Sequence, residues 1–305
     1  MAPLSNETPF ISVIVPVYNG EATICQCVES LLAQDYPRDR FEVIIADNGS
    51  NDSTASLLDR YPVRFVSANR RQTPYAARND GARLSMGEML AFCDADEIAA
   101  PDWLHRLVEA VPDGYGGAAG AIIGRLTDRG AVADFATQEA TFWKGDQPND
   151  IRLAPTGNVL YRRDVFDKLG GFREDTLTGA DYDFSLRVVR QLGQRIRYVP
   201  DAVVWHHHRA TLRKLLKHEA RIAFGREWVS QRHGDPRRSL TRIMARLITR
   251  FAKSGAVAAL AILRAPWRRA SWSRAGFILI GPLMVAANAY GRLRYRLNRN
   301  VPRDW

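Results

Sequence analysis

A chain of 305 residues with 46% hydrophobic and 25% charged side chains has the make-up of an ordinary globular protein with one or two buried cores, so disorder is not the default reading. Its three cysteines, Cys25, Cys27 and Cys93, have no spacing that fits a disulfide framework or a zinc site, and point to a reducing cytoplasm. The net charge of +10 is segregated: residues 209–305 hold about 22 Lys and Arg against about 4 Asp and Glu, roughly +18, which leaves about −8 for residues 1–208.

The opening residues, MAPLSNETPF, combine neither a basic start nor an apolar run, so no secretory signal is expected and residues 1–9 read as a tail. From residue 10, short apolar runs alternate with helical patterns, the signature of an α/β domain with a mostly parallel sheet. Strands are predicted over 11–17, 41–46, 63–67 and 88–93. A helix is predicted over 22–34, from Cys25, Val28, Leu31 and Leu32, and another opens at Pro101 ahead of Trp103, Leu104, Leu107 and Val108. A Gly-rich stretch at 114–124 precedes further strand and helix signals up to about 208. Residues 10–208 therefore read as one unit, with a donor half at about 10–105 and an acceptor half at about 106–208.

Beyond 209 the pattern is helical and basic. Leu240, Ile243, Met244, Leu247, Ile248 and Phe251 form an apolar stripe flanked by Arg242, Arg246, Arg250 and Lys253, an amphipathic helix with a cationic face. A second, uncharged segment over 275–291 contains Pro282 and Asn288 and is marginal for a full membrane span. A membrane surface explains both features of this tail, whereas no nucleic-acid-binding module is visible and nucleic acid is not an expected partner.

In open α/β sheets ligands gather beyond the carboxyl ends of strands, which directs attention to Tyr18-Asn19, to Asp47-Asn48-Gly49-Ser50 and to Asp94-Ala95-Asp96. Two aspartates one residue apart after an apolar strand can hold a hard cation that stabilises a departing diphosphate. The tripeptide alone is a weak signal, since such sequences arise in solvated turns. Its context strengthens it. Val13-Ile14-Val15-Pro16-Val17-Tyr18-Asn19 is followed in order by Asp47 to Thr54, by Ala77-Arg78-Asn79-Asp80-Gly81, by Gly87-Glu88 and by Asp94-Ala95-Asp96. Further on come Gly157-Asn158, Gly170-Gly171-Phe172, Gly179-Ala180-Asp181-Tyr182-Asp183, and a run from Tyr198 to His206.

This series resembles family 2 of the inverting glycosyltransferases, of the non-processive bacterial type, over residues 10–208. The resemblance implies the GT-A fold, a Rossmann-like, mostly parallel sheet with an acceptor subdomain, here followed by the helical basic C-terminal region. It implies that Pro16, Tyr18, Asn19, Asp47, Arg78, Asp94 and Ala95 bind a nucleotide diphosphate sugar, a UDP-sugar being the expected donor, with Asp47 at the base and Arg78 near the diphosphate. It also implies Mg²⁺ or Mn²⁺ on Asp96, with Asp94 at the ribose or the metal. A histidine after the late strand, His206 or His208 by strand parity, is expected to complete the metal shell.

Inversion by direct displacement needs a carboxylate to take the acceptor hydroxyl proton, and the resemblance implies Asp181 in that role. The family's preceding Glu is replaced by Ala180, a departure. Asp183 would face away on a helix and reads as structural. The Gln-X-X-Arg-Trp motif of processive synthases is missing, which implies transfer of one sugar. The expected acceptor is a lipid-linked precursor of a cell-envelope glycan, at the cytosolic membrane face. Two alternatives stand beside this one. A sugar nucleotidyltransferase would need a basic Gly-rich loop near the N-terminus, where residues 15–20 offer none. A non-catalytic sugar-nucleotide-binding protein is motivated by Ala180.

Overall fold

The computed structural model describes residues 8–126, 150–151, 153–208, 211–234 and 269–297, with Ala245, Ile248, Thr249 and Ala252 besides; side chains at 125–126, 207–208 and 269–279 are not described. The chain divides into two compact units, one holding residues 8–123 and 150–206, the other containing the helices beyond 211.

The first unit is built on β1 (Ile11–Val17), whose residues are buried except for a half-exposed Pro16. Such an unbroken apolar run suits a strand covered on both faces. It pairs in parallel with β2 (Phe41–Asp47) on one side and with β4 (Met89–Cys93) on the other, and β2 pairs in parallel with β3 (Arg64–Ser67). The β1–β4 register ends at Ile14↔Phe92, so Pro16 lies beyond the strand neighbour that its missing N–H would disrupt.

Four helices follow these strands in the first half: α1 (Ile24–Leu32), α2 (Thr54–Leu58), α3 (Pro74–Leu84) and α4 (Trp103–Glu109). The sheet then continues with antiparallel pairing. Its further strands are β5 (Glu97–Ala99), β6 (Tyr115–Leu126), β7 (Asp150–Ile151), β8 (Asn158–Arg162) and β9 (Arg195–His208), and α5 (Arg163–Lys168) and α6 (Ala180–Leu192) lie between β8 and β9. Among the described residues the nine strands run β3-β2-β1-β4-β8-β6-β9-β5, with β7 on β9.

Two elements differ from the sequence expectation. The chain does not pass from Asp94-Ala95-Asp96 straight into a helix; it first forms β5, antiparallel to β9, a strand of three residues that is too short to show a period. The Gly-rich stretch is the twelve-residue strand β6. A Cβ on Gly120 would stand 1.9 Å from the Ala202 carbonyl oxygen and 2.6 Å from Asn158 Nδ2, so a close approach of backbones demands glycine there and hides the strand from propensity.

Asn158 pins this region. Its Oδ1 accepts the Trp103 indole N–H at 2.8 Å, while its Nδ2 donates to the carbonyls of Ala121 (2.9 Å) and Ala202 (2.8 Å). One fully buried amide thus joins α4, β6, β8 and β9.

The second unit pairs α7 (Leu212–Arg232) with α8 (Arg269–Leu297). Ile280 and Met284 pack with Leu212, Leu215 and Leu216. Glu227, 1% exposed, accepts from Arg292 at 3.0 Å and from Arg296 at 2.9 Å. Gly291 passes so near Ala220 that a Cβ would meet its carbonyl oxygen at 2.0 Å. Pro282, expected to interrupt 275–291, lies inside one continuous helix. Among the described residues no helix is long and apolar enough to cross a membrane. Of the stripe over 240–251, Ile248 is described and is 65% exposed, while the rest lies outside the described residues.

Replacing Asn158 by alanine strands one indole N–H and two carbonyls in a dry core, at about 1–3 kcal/mol each. We expect Asn158→Ala to lose at least about 3 kcal/mol in urea denaturation. A loss below about 1 kcal/mol would show that the amide is not the pin.

Candidate functional site

The loops after β1 and β2 are laced together by side chains. Asn19 adopts φ 53, a left-handed conformation that asparagine tolerates better than most residues. There its N–H donates to Ser50 Oγ and its Oδ1 accepts the Asn51 N–H, both at 2.9 Å. The Gly20 N–H donates to Thr54 Oγ1 at 2.9 Å. Asp47, the last residue of β2, accepts the Ser50 N–H on both oxygens at 3.2 Å and the Ser50 hydroxyl on Oδ1. Asp47 therefore braces its own turn. Beside it Tyr18 is 59% exposed, an aromatic face open to solvent at the end of a buried strand.

Helix α3 opens with Thr73 as cap, its Oγ1 accepting the Ala76 N–H at 3.1 Å, and Pro74 in the first turn. Tyr75, Arg78 and Asn79 fall three and four residues apart on its buried face. Asn79 donates to the Phe172 carbonyl at 2.8 Å and accepts the Phe172 N–H at 3.0 Å, tying α3 to the turn ahead of α6. The Arg78 guanidinium, 4% exposed, is paired to Asp94 Oδ1, and its buried Nε–H has no hydrogen-bond partner among the described residues. A buried donor left without a partner is costly, and an anionic ligand oxygen would satisfy it.

The Asp94-Ala95-Asp96 turn rests on Glu97. Glu97, 2% exposed, accepts the Asp94 N–H on Oε2 at 2.8 Å, while the Cys27 thiol donates to the Asp94 carbonyl at 3.5 Å and Ala95 packs on the core below. Burial, then the neighbouring Cys93, Asp94 and Asp96, pushes the Glu97 carboxyl well above the usual carboxylate range. Asp96 points outward. Its Oδ2 lies 3.1 Å from His206 Nε2, which the Glu97↔His206 pairing of β5 and β9 brings alongside. Burial alone would lower the His206 imidazole, but the Asp96 and Asp94 carboxylates outweigh it and raise it. His208 falls outside the described side chains.

Among the described residues no three His, Cys, Asp or Glu side chains form a closed metal cage. The donor set still suits Mg²⁺ or Mn²⁺. The Asp96 carboxylate and the His206 imidazole, 3.1 Å apart, with Asp94 two residues away, are the groups that would hold such a cation.

Asp181 sits in the first turn of α6, after Gly179 at φ 92. Its Oδ1 accepts the Tyr75 hydroxyl and the Tyr182 N–H, each at 3.0 Å. Burial raises its pKa, against the lowering effects of the Tyr182 N–H, the Arg78 charge and the Tyr75 hydroxyl. Asp183 turns into the protein, 1% exposed, and pairs with Arg187 at 2.8 Å and Arg173 at 3.3 Å. The acidic groups thus divide into Asp94, Asp96 and Asp181, which keep partial exposure, and Glu97 and Asp183, which are buried.

The Glycosyl transferase family 2 model matches residues 12–170, more than half of the chain. The chain belongs to glycosyl transferase family 2. This glycosyltransferase is 28% identical over 228 residues to glycosyltransferase AglE of Haloferax volcanii, covering 73% of this chain and 74% of the relative. It is also 28% identical over 223 residues to the glucosyl-dolichyl phosphate glucuronosyltransferase of the same organism, covering 64% and 68%. The mannosyltransferase PcManGT of Pyrobaculum calidifontis, solved with GDP-Man and Mn²⁺, superposes with a TM-score of 0.63 at 21% identity, over 96% of this chain and 89% of that one. The family 2 domain therefore has the GT-A fold.

Sequence reasoning missed two residues of this site. Tyr75 carries no motif, although its place three residues before Arg78 puts both on one helical face. Glu97 continues an acidic run, and its burial could not be read from the run. Because the folded-state pKa of Glu97 lies above the unfolded one, its contribution to stability is present below the unfolded value and is lost as pH rises through the folded one. Glu97→Gln removes that loss. In chelator, urea denaturation of Glu97→Gln from about pH 5 to pH 8 should give a flatter stability profile than wild type. Parallel profiles would mean that Glu97 is buried ionised.

Proposed function

We propose that the protein is an inverting, non-processive, metal-dependent glycosyltransferase that moves one sugar from a nucleotide diphosphate sugar to the hydroxyl of a lipid-linked glycan precursor at the cytosolic face of a membrane. The observation that carries this reading is the position of Arg78: buried, paired to Asp94, acting electrostatically on Asp181, and left with an unpartnered Nε–H. A diphosphate oxygen is the group that such a donor lacks.

In this reading Pro16, Tyr18, Asn19 and the Asp47 loop receive the base and ribose, a UDP-sugar being the first donor to try. Arg78, Asp94 and Ala95 border the diphosphate. Asp96, with Asp94 and His206, holds Mg²⁺ or Mn²⁺, which supplies Lewis-acid stabilisation of the departing diphosphate. The acceptor oxygen attacks the anomeric carbon, its proton passes to Asp181 Oδ2, and the bond to the diphosphate breaks with the electron pair leaving on the nucleotide. A raised Asp181 pKa strengthens it as a base near neutrality. Residues 10–208 carry this chemistry, and the basic region 209–305 holds it against anionic lipid. Support for the acceptor class comes from the name of the Haloferax glucuronosyltransferase, which specifies a dolichyl phosphate-linked sugar.

The reading is tested with a panel that includes UDP-glucose, UDP-GlcNAc and GDP-mannose, with Mn²⁺, scoring nucleotide release. Asp181→Asn should bind the donor normally and lose about 10²- to 10⁴-fold in turnover, the usual contribution of a general base. Turnover close to wild type would remove Asp181 from the chemistry. Asp96→Ala should abolish the Mn²⁺-dependent part of donor binding; an affinity equal to wild type with and without Mn²⁺ would count against the metal site. The full chain should sediment with phosphatidylglycerol vesicles and be released by salt, and indifference to them would defeat the membrane assignment.

A further inference from the structure

Asp181, the base of the proposed reaction, stands beside a residue that the family motifs do not mention, and the role inferred for that neighbour rests on Asp181 being the base. Tyr75 is 5% exposed in the first turn of α3. Its hydroxyl makes two contacts of different kind: it accepts the Gly179 N–H at 3.0 Å and lies 3.0 Å from Asp181 Oδ1. A phenol has a single proton, and a backbone N–H can only donate. The Gly179 contact therefore occupies a lone pair and commits the Tyr75 proton to Asp181. Gly179, at φ 92, is the left-handed residue from which α6 starts, so one hydroxyl fixes both the turn that launches the helix and the carboxylate in its first turn.

The consequence at Asp181 is asymmetry between its two oxygens. The Tyr75 hydroxyl and the Tyr182 N–H both fall on Oδ1, each at 3.0 Å. We propose that Tyr75 is the positioning residue of the base: its hydroxyl holds Oδ1 of Asp181, orients the carboxylate so that Oδ2 faces the acceptor, and does from α3 what Ala180, with no polar side-chain atom, cannot do from α6. The remaining groups that face Asp181 are Arg78 on α3 and the Tyr161 phenol on β8. Tyr161 shares its own hydrogen bond with Ser185 at 3.1 Å, and Arg78 is paired to Asp94, so neither takes the place of the Tyr75 hydroxyl on Oδ1. Burial and the Asp181 charge push the Tyr75 hydroxyl well above the ordinary tyrosine range.

Tyr75→Phe is the informative variant. It keeps the ring that packs 5.9 Å from Phe172 and lies under the Arg78 guanidinium at 5.5 Å, and removes only the hydroxyl. A hydrogen bond donated to a carboxylate favours its ionised form, so the variant should raise the Asp181 pKa. With ¹³C-labelled aspartate, the carboxyl resonance missing from Asp181→Asn identifies the base, and its titration midpoint should move up by about one pH unit in Tyr75→Phe. The acid limb of kcat for nucleotide release from the active donor should move up with it, while KM for the donor stays within about twofold. A role in packing alone would lower the melting temperature and move neither the midpoint nor the limb, and that result overturns the proposal. The two assignments fail differently. Asp181→Asn with wild-type turnover removes the base and the positioning role together, whereas an inactive Asp181→Asn beside an unmoved Tyr75→Phe profile leaves the base and removes Tyr75.

Discussion

Three acidic side chains follow β4 within four residues, Asp94, Asp96 and Glu97, and the repulsion that gathers on the buried Glu97 is the constraint around which this part of the molecule is arranged. Three compensations are visible. Arg78 is buried against Asp94 and lends its charge to Asp181. His206 is drawn to Asp96. Glu97, enclosed and surrounded by like charge, has its carboxyl pushed well above the usual carboxylate range. Each device depends on a different element: Arg78 on α3, His206 on β9, Glu97 on β5. The antiparallel pairing of β9 with β5 therefore brings His206 to Asp96 as well as extending the sheet.

Much of this was legible in the sequence because the chemistry follows strand ends, and strand ends are marked. The apolar runs that became β1, β2 and β4 end directly at Tyr18, Asp47 and Asp94, so period and position agreed. Short and glycine-bearing elements were not legible. Three residues of β5 cannot display alternation, and β6 uses glycine where Ala202 and Asn158 occupy the space that a side chain would need. At the site, the places of Asp47, Asp94 and Asp96 at strand ends were readable where a motif surrounds them, whereas contacts across distant segments were not. Tyr75 and Asp181 are 106 residues apart, and nothing local in either segment announces the hydrogen bond between them.

The C-terminal helices follow a different logic. In a region with about 22 basic residues, Glu227 is buried between Arg292 and Arg296, and Asn288 reaches Glu219 at 2.6 Å. The two acids among the described residues of this region, Glu219 and Glu227, are both used for pairing the two helices with each other. Burying an ion triad adds little net stability compared with an apolar contact, yet it makes one register of the pair far better than its neighbours, because any slip would strand a charge. The close passage of Gly291 over Ala220 acts in the same direction through shape.

The lacing between the first two loops has a thermodynamic consequence. Asn19 to Ser50 and Asn51, and Gly20 to Thr54, tie together two segments some thirty residues apart, and Asp47 to Ser50 braces the second of them, before any ligand arrives. The ordering entropy of these loops is lost during folding, so a ligand that settles there has little further chain to immobilise and keeps more of its contact energy as affinity. Association at this end of the sheet should resemble docking to a rigid surface, with a small heat-capacity change confined to the area covered and little contribution from coupled folding.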